Sequence, residues 1–404
     1  MIEAEEGGDL LLKGRSYQFD VMVMLEGRWQ MLCHGPEENL AIIDARKALA
    51  SGKVQAVKVV QHRTMLLMGT STERVIFEEK APPAAERPIA VSNAPRNVEV
   101  CGTVQDMFGP ASRRAIAHIL REYFTKMNLT PTELLHGWSH QKKLQDTGSL
   151  LLSAVQRVGT EQARITGEPA RQRCNTLDGL IGEVLTLSRD FTAERKRLPE
   201  FTAKDIGGYS ATIRGIVGDQ RHDHVMLSMM TIALADHRSL MGKLEAVLAW
   251  SDAAPQLDPL FDGIVADIVC FGEVIKELFG NQPNFGSFLI ALADVLANWL
   301  ESLDHCPTPI LTQIVDRLHA GRFPQTRAVL MERLVAEIGS DKALNRLDPS
   351  SDQKLLERLV GRLKGPDGTL TGGEAVSKAI DARRNFQRQQ FLRSRGLGAI
   401  ADNM

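Results

Sequence analysis

Residues 17–33 alternate between apolar and polar side chains, a period of two that is typical of strands with one buried face. The apolar positions of the first strand are Tyr17, Phe19, Val21, Val23 and Leu25. Gly27 supplies a turn residue that tolerates positive φ. The returning strand then places Trp29, Met31 and Cys33 on one side. The pattern therefore predicts a β-hairpin.

One helix and two further strands are predicted next. Pro36 and the two acids after it suit a first helical turn, and the alanine-rich segment 40–50 ends before Gly52. Segments 54–60 and 74–78 are rich in residues that favour strands. We therefore predict an α+β module with the order ββαββ over residues 1–80.

A proline-containing linker is predicted over residues 81–105, because four prolines stand among alanines and charges there. Beyond it the apolar period changes to 3.6, which is typical of amphipathic helices. The first such stripe, over residues 116–127, predicts one continuous helix. The remainder predicts a large all-α body of about ten helices.

Three capping boxes support separate helix starts in this body, at Thr130–Glu133, Ser350–Gln353 and Thr371–Glu374. The helices after about residue 305 look shorter and more evenly spaced. We therefore predict a helical domain over 106–305 and a C-terminal helical region over 306–404, and leave open whether the two form one body.

Composition narrows the class of protein. With 43% hydrophobic and 24% charged residues the chain should fold around sizeable cores. Its 48 basic and 50 acidic residues nearly cancel, so the whole chain has no field that would draw it to nucleic acid or to an anionic membrane. Five scattered cysteines without a C-x-x-C pair favour free thiols in a reducing compartment. An acidic N-terminus and apolar runs shorter than about 20 residues predict a cytoplasmic protein without membrane insertion.

A titratable cluster gives one candidate metal site, formed by His222, Asp223, His224 and His237. The adjacent His222-Asp223 pair resembles the paired ligands of HD-type phosphohydrolases, which implies a divalent ion that holds phosphate and activates water. That family also needs a separate upstream histidine and a downstream aspartate. His224 and His237 would point about 220° apart on one continuous helix, so they converge only if the helix breaks. The alternative, which we favour, is that these residues interact with helix ends.

Candidate partner-binding residues lie near both ends of the chain. The C-terminal helix carries Arg383, Arg384, Arg388, Arg393 and Arg395 beside an apolar stripe. Such a helix could contact nucleic acid or an acidic protein groove, or could dock on the helical body with its arginine stems along the edge. Trp29 could be an aromatic anchor for a partner, or could pack across strands.

No catalytic motif converges in this sequence, and no cofactor is predicted. We expect a non-catalytic protein-interaction, regulatory or scaffold protein whose partner is another protein, because helical bodies commonly offer grooves to partner helices. Two alternatives stay open: an HD-like metal-dependent phosphohydrolase around His222 and Asp223, and a nucleic-acid accessory protein that uses the C-terminal helix.

Overall fold

The computed structural model of the chain describes residues 15–25, 28–51, 54–65, 70–81, 89–96, 98–297, 308–365 and 367–395. The chain divides into two compact units, Met1–Pro88 and Ile89–Met404. The first is a small α+β unit and the second is helical. The predicted fold class is confirmed.

The N-terminal unit is a four-stranded antiparallel sheet with one helix. Its elements are β1 (Arg15–Leu25), β2 (Arg28–Gly35), α1 (Glu38–Ala50), β3 (Ala56–Met65) and β4 (Thr70–Lys80), and the sheet order is β2-β1-β3-β4. The predicted ββαββ order is therefore confirmed, although β4 is longer than the segment 74–78 that β-branched residues indicated.

Helix α1 covers one face of this sheet. The core beneath it consists of Phe19, Val21, Val23, Val57 and Val59 from the strands with Ala41 and Ala45 from the helix. The two alanines lie four residues apart, on one side of the helix, and their small side chains let α1 approach the sheet closely. The period-two pattern thus identified the buried face, except that Tyr17 is exposed.

A β-bulge changes the predicted orientation of β2. Val21 pairs with Cys33, whereas Met22 pairs with Met31, so Leu32 is an extra residue on β2. Residues paired directly across strands lie on the same face. Met31 therefore lies on the face opposite to Cys33, and the expectation that Trp29, Met31 and Cys33 share one side was wrong.

Part of the predicted linker packs on the helical body. The Ser92 amide donates to the Ile119 carbonyl at 2.9 Å, and Val98 and Cys101 are buried. The apolar residues scattered among the prolines and charges of this stretch, such as Ile89, Val91 and Ala94, pack against the core of the helical unit.

Seventeen α-helices follow in the described part of the second unit, more than the expected ten. They are α2 (Val104–Phe108), α3 (Pro110–Ile119), α4 (Arg121–Met127), α5 (Pro131–His136), α6 (Trp138–Gln145), α7 (Ser149–Thr166), α8 (Ala170–Glu194), α9 (Ile206–Val217), α10 (Asp219–Leu234), α11 (Leu240–Ala253), α12 (Asp258–Val269), α13 (Gly272–Phe279), α14 (Phe285–Ala297), α15 (Pro309–His319), α16 (Pro324–Ile338), α17 (Asp352–Leu363) and α18 (Gly373–Ser394).

The excess comes from short helices that break where periodicity alone does not show it. The stripe over 116–127 belongs to two helices, α3 and α4, which meet at Leu120, where φ is −100° and ψ is 23°. Apolar side chains on both sides of this break still share one core, so the sequence pattern continues through it.

A single large core joins most of the helical unit. It includes side chains from before residue 297 and after residue 308, and α14 packs on α17 while α12 packs on α16. The C-terminal helical region therefore shares its core with the preceding helices. Among the described helices, none combines the length and apolar character needed to cross a bilayer.

Candidate functional site

His222 and Asp223, the centre of the predicted metal site, are hydrogen-bonded to each other. His222 is buried in α10; its Nδ1 lies 2.7 Å from Asp223 Oδ1 and its Nε2 lies 2.8 Å from Ser210 Oγ. A neutral ring with its proton on Nδ1 satisfies both contacts, since a carboxylate only accepts and a hydroxyl can donate. Both ring nitrogens are thus occupied, which leaves no lone pair on His222 for an ion in this arrangement.

His224 lies in a separate aromatic cluster. Its ring centre is 4.9 Å from that of His136 and 5.8 Å from that of Phe108, and Phe108 stacks on His136 at 4.9 Å. Burial lowers the pKa of His224, and burial together with His224 and Arg113 lowers the pKa of His136 well below its usual value. Both rings are therefore neutral near pH 7 and pack as aromatic side chains.

His237 lies at the opposite end of α10. The helix is continuous from Asp219 to Leu234, so His222 lies about 18 Å along the axis from Leu234 at the usual rise per residue, and His237 follows that end of the helix. The structure therefore does not bring the four predicted ligands together. In the described ranges, no group of three or more His, Cys, Asp or Glu side chains is arranged to hold a metal ion. The metal-centre hypothesis gains no support from this geometry.

Trp29 lies on the sheet face that α1 does not cover. It pairs with Met24, and Met31 pairs with Met22, so these four side chains share that face. The Lys58 ammonium lies 4.4 Å from the centre of the Trp29 ring, a cation–π contact that keeps the ring in place. We call this group, Met22, Met24, Trp29, Met31 and Lys58, the open-face cluster.

A polar group continues the same face away from the open-face cluster. Asp20 Oδ2 lies 2.9 Å from His62 Nε2, and His62 Nδ1 lies 3.5 Å from Glu73 Oε1. In the strand register Asp20 pairs with Val60, and His62 pairs with Glu73. Val60 and His62 are two residues apart on β3, so the two cross-strand pairs are neighbours on the same face of the sheet. The face is therefore divided into a methionine-rich end and a polar end.

The five predicted arginines, four in α18 and Arg395 directly after it, fall into two groups. Arg384, Arg388, Arg393 and Arg395 are exposed. Arg384 Nη1 lies 3.4 Å from Asp381 Oδ1, and the Arg395 guanidinium lies 5.4 Å from the centre of the exposed Phe391 ring. The segment 382–395 contains no acidic residue, so this end of the helix carries local positive charge.

Arg383 is different because it is buried against the end of α16. Its guanidinium donates to the backbone carbonyls of Glu337 and Ile338 in the last turn of α16 and to that of Lys342 just beyond the helix. Arg383 therefore closes the end of α16, and only the other four predicted arginines are exposed to solvent.

Buried carboxylates cap two other helices, and these contacts were not predicted from the sequence. Asp262 accepts from the backbone amides of Gln325 and Thr326 in the first turn of α16, and Asp267 accepts from the amide and hydroxyl of Thr132 in the first turn of α5. Arg113 also donates to Asp267 at 3.0 Å. The available signal was an acid within an otherwise apolar helix, since α12 carries both aspartates among leucine, isoleucine, valine and phenylalanine.

Lys243 and Glu133 form a second missed interaction, a buried ion pair. Lys243 Nζ lies 2.8 Å from Glu133 Oε1, and both side chains are almost completely buried. Glu133 also accepts from the Thr130 amide in the α5 capping box, so one carboxylate serves both the helix start and the ion pair. This contact joins α11 to α5 and has a structural role.

Comparison of the chain with protein-family models, with curated proteins and with solved structures found no match.

Proposed function

We propose that the protein is a non-catalytic interaction protein that binds another protein through the open-face cluster of its N-terminal sheet. The observation that carries this proposal is the composition of that face. A sheet face that meets only water is usually polar, but here Met22, Met24 and Trp29 are half-buried and Met31 is 57% exposed.

The side chains of the cluster suit protein recognition. Tryptophan is enriched among the residues that dominate binding energy. Methionine is flexible and polarizable, so a methionine-rich surface can adapt to a partner. Val75 on β4 extends the apolar area and is 48% exposed. The partner we propose is a protein with an exposed apolar patch, because such a patch would gain most from burial against this face.

Photo-crosslinking tests this proposal at residue resolution. A photoreactive amino acid at position 31 should capture the partner in the native host, whereas the same group at position 43 should not. Ile43 is a matched control because it is an exposed apolar residue of α1, at 45%. The captured protein is then purified, and its Kd is measured for wild type, Met31→Glu and Ile43→Glu. We expect Met31→Glu to weaken binding at least about tenfold, because it desolvates a charge at the interface.

Equal crosslinking at both positions, or equal binding by both variants, would contradict the proposal. A crosslinked product of twice the chain mass would identify the partner as a second copy of this chain.

The four exposed arginines of α18 and its C-cap favour a second candidate, contact with nucleic acid. Phosphate contacts release counterions, so binding to a single-stranded oligonucleotide should weaken steeply between 50 and 200 mM salt. The variant Arg388→Gln/Arg393→Gln should reduce that salt dependence by about two counterions. Binding that does not change with salt would remove this candidate.

We also propose a reducing, cytoplasmic location. The described cysteines, Cys33, Cys101, Cys174 and Cys270, are free thiols. Burial, with a smaller contribution from Asp267, raises the pKa of Cys270 to about 12, so that thiol is unreactive. Thiol counting in extracts prepared with and without an alkylating quench tests whether all five cysteines stay reduced in the cell.

A further inference from the structure

An apolar cavity of about 120 Å³ lies within the helical unit. It is bounded by the segment 98–101 and by the helices α2, α3, α5, α6, α7 and α8. Among the described residues that line it, only Glu99 is charged, and Glu99 is exposed, so its charge stays in contact with water. Most of the wall is aliphatic, and representative lining residues are Ile119, Leu134, Leu144, Ala154, Val155 and Leu177.

A cavity of this size is unusual in a natural core. Protein interiors pack like organic crystals and hold few voids larger than a water molecule. A void lowers stability, because the side chains around it lose dispersion contacts on that side. The small side chains of Ala115 and Ala154 in the lining leave this space unfilled. A molecule that filled the cavity would restore the missing contacts.

The polar side chains around the cavity bond to one another and not to its interior. The Ser112 hydroxyl lies 3.3 Å from the Cys101 thiol. The Gln162 amide donates to the Glu99 carbonyl and accepts from Arg173. These partners satisfy groups that would otherwise attract water into the cavity.

Gln141 is also turned away from the cavity. Its Nε2 donates to the Leu135 carbonyl at 2.7 Å and to Ser188 Oγ at 2.8 Å, and its Oε1 has no accessible surface. Polar atoms therefore contribute almost nothing to the surface of the cavity wall. A buried water needs two to four polar partners, which this wall does not offer, so we expect the cavity to exclude water.

We propose that this cavity binds a small uncharged hydrocarbon and that binding involves no hydrogen bond to the protein. The volume sets the size of the ligand, since apolar cavities of roughly 150 Å³ elsewhere stay dry and take up benzene. The composition of the wall sets its chemistry, because a polar group on the ligand would lose water and find no partner. The site lies in the helical unit and is independent of the proposed role of the open-face cluster.

Benzene and phenol are matched probes for this proposal, since they share a ring and differ by one hydroxyl group. Each is titrated into the full-length protein, and Kd is measured by calorimetry. We expect benzene to bind and phenol to bind roughly tenfold more weakly, because burial of its hydroxyl is not compensated. Phenol bound as tightly as benzene would show that the wall offers a polar partner and would overturn the proposal. Failure of benzene to bind near its solubility limit would overturn it as well.

Two variants test the location. Ala154→Leu places a larger side chain in the cavity and should abolish benzene binding, whereas Ala193→Leu, at an exposed position of α8, should leave Kd unchanged. A folded Ala154→Leu variant that still binds benzene would contradict the assignment to this cavity.

Methyl NMR of the wild type locates benzene even if Ala154→Leu does not fold. The methyl signals of Leu144 and Leu177, which line the cavity, should shift on titration, and those of Leu248, which does not line it, should not. Equal shifts at all three leucines would indicate unspecific uptake by the core and would also overturn the proposal.

Discussion

Buried polar side chains in the helical unit are used to hold helices together. Lys243 and Glu133 pair inside the core, Arg383 closes the end of α16, and Asp262 caps its start. Burial raises the pKa of the Asp262 carboxyl despite the donors from Gln325 and Thr326. Each of these buried groups depends on its partner for stability, since an unpaired buried charge is strongly destabilising.

The Lys243–Glu133 pair gives the first prediction. Lys243→Met leaves a buried carboxylate without its partner and should lower the free energy of unfolding by about 3–5 kcal/mol. Lys243→Met/Glu133→Gln should recover at least about half of this loss, because an amide can still accept from Thr130. Lys378→Met, which breaks the exposed pair with Glu374, should cost under about 1 kcal/mol. Urea unfolding of the three variants measures these values. Equal losses for Lys243→Met and Lys378→Met would show that burial does not matter at this pair.

The buried histidines predict a loss of stability in acid. Burial, with Lys143 and Lys243 nearby, lowers the pKa of His140 from 6.5 to about 4. The unfolded chain then binds protons more readily than the folded chain between these values, so stability falls as the pH drops from about 6.5 to about 4. His140 contributes on the order of 2 kcal/mol to this fall in the free energy of unfolding, after allowance for its partial exposure. The lowered pKa values of His136 and His224 act in the same direction.

Unfolding free energies at pH 7 and pH 5 test this expectation. His140→Gln should show a smaller drop than the wild type, while His118→Gln, at an exposed position of α3, should retain the full drop. Identical drops in the two variants would mean that His140 takes up its proton without penalty.

At the scale of elements, the sequence correctly predicted those features that depend on residues close together along the chain. The strand period identified Phe19, Val21 and Val23 as core residues, and the α5 capping box at Thr130 and Glu133 is present. The other two predicted boxes are not formed. Helix α17 begins at Asp352 and α18 at Gly373, and neither has a side-chain cap at its first turn.

The missed features depend on residues far apart in the sequence. Asp262 caps a helix that begins 62 residues later, and Lys243 pairs with Glu133, which lies 110 residues earlier in the chain. The β2 bulge at Leu32 is visible only in the pairing with β1. Periodicity within one segment cannot encode these contacts.

Capping gives a prediction at this scale. Thr130→Ala should lower the unfolding free energy by about 1–2 kcal/mol, because the hydroxyl accepts from the Glu133 amide in a buried first turn. Thr371→Ala also removes a threonine hydroxyl, but the capping box predicted at Thr371 is not formed in the structure. This substitution should therefore change the free energy of unfolding by less than about 0.5 kcal/mol. Chemical unfolding of both variants checks the difference, and equal losses would indicate that α18 is capped by Thr371 after all.

At the scale of the whole molecule, the chain has two units with separate cores. Phe19, Val57 and Ala45 belong to the core of the N-terminal unit, whereas Leu248 and Leu330 belong to the core of the helical unit. Cooperative unfolding follows shared cores, so each unit should respond to substitutions in its own core.

Calorimetry should therefore resolve two transitions. Val57→Ala should lower only the Tm of the N-terminal unit, by several degrees, because a small domain shifts by about 4–8 °C per kcal/mol. Leu248→Ala should lower only the Tm of the helical unit. A single transition that moves with either substitution would show that the two units unfold together.

The two edges of the sheet differ in how well they resist aggregation. Strand β4 carries Glu73, Arg74, Glu78, Glu79 and Lys80, charges that discourage a foreign strand from adding to that edge. On β2 the exposed residues include the apolar Met31 and Leu32, and the feature that interrupts regular strand pairing at this edge is the bulge. Edge-to-edge aggregation of this protein should therefore begin at β2. The substitution Leu32→Lys would place a charge at that edge and should keep concentrated samples monodisperse.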